Sequence, residues 1–161
     1  MQVSRSCDNI SRLMSEYMRY ALEEAKKAFD LGEIPVGAVV VKDGEIVGRG
    51  HNLTETLKDP TAHAEMIAIR EAAKTLGGWR LLGCDIYVTV EPCSMCAGAL
   101  VWSRMRKLYF GAEDPKAGGC GSVFDIVRSS ALNHRLEVEG GIEAEACSKL
   151  MKDFFRQLRI K

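Results

Sequence analysis

A chain of 161 residues, 47% hydrophobic and 27% charged, has room for one well-buried core and the composition of an ordinary soluble globular protein. Its 22 basic residues balance 22 acidic ones, so any nucleic-acid contact must come from local patches and not from overall charge. No apolar run approaches the roughly 18 residues of a membrane span, and residues 1–9 lack the apolar core of a signal peptide. The six cysteines are scattered, without the spacing of a disulfide scaffold, and predict reduced thiols in a cytoplasmic protein. Cys84 and Cys147 fall in apolar patterns and read as core residues; Cys120 is expected to be an exposed thiol.

Met14, Met18, Leu22, Ala25 and Phe29 recur at helical spacing and predict an amphipathic helix from about Ser11 to Leu31, closed by Gly32. Residues 1–10 lack that period and are expected to form a flexible tail ahead of a single domain spanning residues 11–161. Val36 to Val41 reads as a buried strand, Asp43-Gly44 as a hairpin turn, and Glu45 to His51 as the partner strand. After an irregular stretch, Thr61 is placed to cap a helix that runs to Leu76 and stops at Gly77-Gly78. Cys84 to Val90 predicts a third strand, and Pro92 opens a helix through about Ser103. Lys107 to Ala112 is a fourth strand, followed by a glycine-rich loop over 113–122 and a short helix over Val123 to Val127. Arg135 to Glu139 alternates as a fifth strand, and Ile142 to Arg159 is helical. The pattern predicts one α/β domain, a mainly five-stranded sheet layered with helices.

Two short stretches carry the chemistry: Thr61-Ala62-His63-Ala64-Glu65 and Glu91-Pro92-Cys93-Ser94-Met95-Cys96. Together they offer one imidazole, two thiols and a spare carboxylate. Three protein ligands suit a catalytic zinc with an open fourth position, where a bound water becomes acidic near neutral pH. His63, Cys93 and Cys96 are the candidate ligands, and Glu65 is the candidate proton carrier. Both halves lie where a helix begins, and a helix start lowers thiol pKa. The His-Glu-x-x-His signature of peptide hydrolysis is missing; the donor set is the one used to expel ammonia from an amino-substituted ring carbon. Two other readings of the same residues are a redox Cys-x-x-Cys and a closed structural zinc recruiting His51 or His134. Neither accounts for Glu65.

These stretches closely resemble the TadA-type tRNA adenosine deaminases of the cytidine deaminase-like superfamily. So do Gly32 to Ala38, His51-Asn52, Ser103-Arg104, Phe110 to Ala112, Asp114-Pro115-Lys116, Asn133-His134 and Phe154-Phe155-Arg156, spanning about Tyr17 to Arg159. The resemblance implies a three-layer α/β/α domain with a mixed five-stranded sheet and one zinc ion per subunit. The implied activity is hydrolytic conversion of adenosine to inosine at the wobble position, position 34, of a tRNA anticodon, by a homodimer. It assigns Asn52, Val36 and the Ala64 backbone to the pocket for the extruded nucleotide. Asp114, Phe155 and Arg156 would meet the anticodon stem-loop.

The charge pattern bears on an RNA substrate. The last helix ends with Lys149, Lys152, Arg156, Arg159 and Lys161 against the single acid Asp153, a basic end able to guide phosphates. Phe154 and Phe155 offer rings for an unpaired base, unless Phe154 belongs to the core. Deamination of a free base such as guanine or cytosine is the alternative with the same zinc chemistry, and a zinc-stabilised RNA-binding module is the non-catalytic one.

Overall fold

The computed structural model describes residues 2–160, with side chains from residue 6 onward; Lys161 of the predicted basic end lies outside them. The elements run α1 (Gln2–Asp30), β1 (Gly37–Lys42), β2 (Glu45–His51), α2 (Thr54–Leu57), α3 (Ala64–Leu76), β3 (Asp85–Val90), α4 (Ser94–Trp102), β4 (Lys107–Ala112), β5 (Glu137–Glu139) and α5 (Ala144–Ile160). One five-stranded sheet has the order β2-β1-β3-β4-β5. The β1–β2 hairpin turns on Asp43 and Gly44, both at positive φ, the geometry of the tight turn that matches strand twist. β1 pairs antiparallel with β3, whereas β3–β4 and β4–β5 are parallel, so the sheet is mixed. Parallel pairing of β3 and β4 needs a crossover, which α4 supplies.

Alternation along the strands divides the core in two. Val39, Val41, Tyr87 and Tyr109 face α1 and α5 with Met18, Ala21, Leu22 and Cys147; Ala38, Val40, Ile86, Val88 and Leu108 face α3 and α4 with Ala68, Ala72, Ala97 and Leu100. The result is the predicted α/β/α stack. Cys84 and Cys147 are buried as expected. Phe154 packs edge-on against Phe29 and is a core residue. Close approach of α3 to β2 depends on two glycines: a Cβ at Gly48 or Gly50 would strike the Ala68 or Ala64 carbonyl.

The structure departs from the sequence reading in five places. The α1 backbone begins at Gln2, earlier than periodicity marks, because residues 6–13 are helical but exposed, with no apolar stripe to announce them. Thr61 does not cap α3. Its hydroxyl donates to Asp59 at 2.7 Å, and His63 holds the N-cap position with no side-chain cap bond. Val123 to Val127 forms no helix: Asp125 bridges back to Cys120 and pairs with Arg128 at 2.9 Å, which holds the segment as a turn. Cys120 is not an exposed thiol but 2% exposed. Short α2 went unpredicted within the stretch between Asn52 and Pro60.

Candidate metal and substrate site

Antiparallel pairing aligns the start of β1 and the end of β2 with the ends of β3 and β4, where ligands gather in layered α/β folds. Val36, Asn52, Cys93 and Asp114 therefore meet at one edge of the sheet despite their separation in sequence. The helices α3 and α4 start there too. Their N-cap residues are His63 and Cys93, both with extended backbone, so each side chain precedes its helix. Cys96 follows one turn on and is buried.

His63 Nδ1 lies 3.6 Å from Cys93 Sγ and 3.5 Å from Cys96 Sγ, and the three donor atoms fall within 4.8 Å of one another. A tetrahedral zinc with bonds of about 2.0 Å to nitrogen and 2.3 Å to sulfur sets such donors about 3.5 Å apart. The donor set fits that ion. Among the described residues no fourth His, Cys, Asp or Glu joins the group. His51 instead lies 3.4 Å from Glu24, and His134 is 2.7 Å from the Met105 carbonyl. The reading of a closed structural zinc has no ligand to complete it. Cys93 is pushed down to about 3 by the hydrogen bond from Cys96 and by His63. Cys96 is held up by its hydrogen bond with Cys93, by burial and by the Glu65 charge. His63 is raised, chiefly by Cys93. Glu65, 3% exposed, is raised by burial.

A cavity of about 580 Å3 opens over this cluster. Of the predicted residues, Val36, Asn52, His63, Ala64, Glu65, Cys93, Asp114 and Phe155 line it. Cys96, fully buried, and Arg156 do not; Arg156 borders a neighbouring groove with Lys149, Lys152 and Asp153. The predicted basic face is partly neutralised, since Lys149 pairs with Asp153 at 2.7 Å, whereas Lys152 borders both hollows. Asn52 is held from both ends of its amide: Nδ2 donates to the Ile34 carbonyl at 3.4 Å and Oδ1 accepts from the Thr54 N–H at 3.3 Å.

Two buried carboxylates escaped the sequence reading. Glu33 accepts the Glu55 and Thr56 N–H groups at 3.0 and 2.9 Å and so secures α2 beside Asn52. Glu91, at the end of β3, accepts backbone N–H groups of the 114–122 loop. The available signal was an acid at the edge of an apolar run in each case, Glu33 before Ile34-Pro35-Val36 and Glu91 after Val88-Thr89-Val90. Lys116 and Met151, also in the wall, carried no such signal.

A mixed sheet between helix layers, with an imidazole and two thiols at paired helix starts, defines the class of cytidine deaminase-like domains. The chain matches the MafB19-like deaminase family over residues 14–159. It is 52% identical to the tRNA-specific adenosine deaminase of Bacillus subtilis over 145 residues, covering 90% of each chain. Against the enzyme of the same name from Aquifex aeolicus it is 52% identical, covering 89% of this chain and 94% of that protein. A solved structure from work on A-to-I editing by tRNA:A34 deaminases at the wobble position superposes with a TM-score of 0.81 at 42% identity, covering 84% of this chain and 98% of that one. A guanine deaminase of Bacillus subtilis is 44% identical but covers only 61% of this chain and 63% of its own, with a TM-score of 0.58. This chain belongs to the MafB19-like deaminase family and, within it, to the tRNA-specific adenosine deaminases.

Proposed function

We propose that this protein is a zinc-dependent deaminase that converts adenosine to inosine at position 34, the wobble position, of a tRNA anticodon. The observation that carries the reading is a single cavity joining His63 and Cys93 of the donor cluster, and Glu65, to Phe155 and Lys152 of α5. His63, Cys93 and Cys96 would hold one zinc ion per subunit. When bound there, zinc supplies a water acidic enough to be ionised near neutral pH. Glu65 accepts a proton on its carboxylate and returns it to the leaving amine, serving first as base and then as acid. Asn52, fixed by Ile34 and Thr54, presents its amide to the extruded base. Val36 packs against that base, and Ala64 offers a first-turn N–H with no partner within the helix. Asp114 and Phe155 flank the entrance, and Arg156 with Lys152 meets phosphates outside it.

An unpaired loop base is cheap to extrude, and an exposed aromatic at the entrance suits stacking. Phe155, 40% exposed, is such a ring, whereas a free-base enzyme needs neither it nor the cations. Self-association as a homodimer is supported by the exposure of Trp102 (72%) and Phe124 (59%), large apolar side chains that burial against a second copy would cover. No helix among the described residues is long and apolar enough to cross a membrane.

The test gives the zinc-loaded protein an anticodon stem-loop with adenosine at the wobble position, alongside free adenosine, guanine and cytosine. Inosine from the stem-loop alone is expected. Ammonia from a free base alone would replace the RNA substrate with a nucleobase, and no product from any would remove the enzymatic reading. Sedimentation of the same sample should give twice the chain mass of 17.8 kDa.

A further inference from the structure

Outside the metal donors and their proton carrier, the cavity wall contains one buried acid with no part in the chemistry. Glu91 is 3% exposed. Its Oε1 accepts from the Asp114 N–H at 3.2 Å and from the Ser122 hydroxyl; its Oε2 accepts from the Cys120 and Ser122 N–H groups, each at 3.1 Å. All four donors belong to one glycine-rich loop. A Cβ at Gly118 would strike the same carboxylate, so the loop wraps it closely. This loop contributes Asp114, Lys116 and Ala117 to the cavity wall. Gly119 N–H donates to the Pro92 carbonyl at 2.7 Å, which ties the loop to the chain entering the metal site. Between 113 and 122 there is no helix or regular strand to satisfy backbone groups, so the carboxylate takes that place.

We propose that Glu91 is a positioning residue for substrate recognition, holding the Asp114–Ser122 loop in the shape that receives a polynucleotide without itself touching the reacting base. The proposal rests on the tRNA-editing reading above. A preformed loop spares the complex the entropy of ordering it on binding. Loss of the anchor therefore raises KM for a stem-loop. The turnover step changes little, because α4 keeps its own Ala97 N–H to Cys93 carbonyl bond at 2.8 Å and the donors stay in place.

Glu91→Gln keeps the shape but sets an amide NH2 against N–H donors. Ser122→Ala removes the hydroxyl and is the gentler variant should the first fail to fold. On zinc-loaded protein with the anticodon stem-loop, Glu91→Gln is expected to raise KM about tenfold and Ser122→Ala about threefold, the scale of hydrogen bonds to a charged group. Turnover should stay within about threefold, with zinc retained. Hydrogen exchange at the Cys120 and Ser122 amides should quicken in Glu91→Gln, a readout that needs no turnover. An unchanged KM with unchanged exchange overturns the proposal. So does a fall in turnover with loss of zinc, which would make Glu91 a support of the metal site alone. Faster exchange in a protein whose wild type edits no stem-loop overturns the functional reading instead and leaves only the anchored loop.

Discussion

One wall of the cavity is made from two helix starts, with His63 and Glu65 on one and Cys93 on the other. The other wall is made from the 113–117 loop and the middle turns of α5, with Asp114, Lys116, Lys152 and Phe155. The first wall holds its side chains by local geometry: an N-cap position and the turn that follows fix where they go. In the second, the loop has no such rule and is held by contacts from afar, above all by Glu91. On the proposed function, chemistry that demands sub-ångström placement sits on helix starts, while recognition falls partly to a loop whose shape is imposed by tertiary contact.

That contrast can be broken from either side. Cys93→Ala removes a donor from a three-ligand site, so metal and activity should both be lost, as metal analysis and the stem-loop assay would read together. Chelation of the wild type should reproduce the loss, and added zinc should restore it. Glu65→Gln leaves the donors intact. Zinc content should hold while turnover falls about 10³-fold, within the usual reach of a general acid–base group. Turnover within about tenfold of wild type would remove Glu65 from its role.

Glu33 sharpens the comparison because it anchors the Asn52 side of the cavity as Glu91 anchors the other. Burial alone would raise its carboxyl, but the Thr56 and Glu55 N–H groups and the Thr56 hydroxyl outweigh that and hold it below the ordinary 4.5. The unfolded chain then binds more protons just below 4.5, so this contribution is full above that pH and is lost as pH falls through the folded value. Glu33→Gln should cost about 2 kcal/mol at neutral pH, seen as a lower Tm, and the gap to wild type should narrow in acid.

Smaller effects belong to the second wall. Phe155→Ala should raise KM for the stem-loop about tenfold, in line with one base–aromatic stack, with no effect on metal content. An equal KM for the stem-loop in the variant and the wild type would exclude that stack. The smallest change is expected from removing residues 2–9. Side chains 6–9 are exposed and the family match begins at residue 14, so the stability change should stay under about 0.5 kcal/mol by thermal melting.

The sequence by itself determined the elements whose code is local: the Asp43-Gly44 hairpin, the end of α3 at Gly77, strand β4 and the amphipathic part of α1. It also determined the donor set, because imidazole and thiols at helix starts announce themselves by type and spacing. Tertiary structure decided the rest. Thr61 had the right chemistry for a cap, yet Asp59 claimed its hydroxyl and His63 took the position, a competition between neighbours that no propensity expresses. Cys120 was buried by a loop folding back on Asp125, and Phe154 was separated from Phe155 by a contact with Phe29, 125 residues earlier in the chain. Glu91 became an anchor only because the chain returned to it from residues 114–122. Propensity and spacing act over a few residues, whereas burial of a polar group is settled by whichever distant backbone arrives to satisfy it.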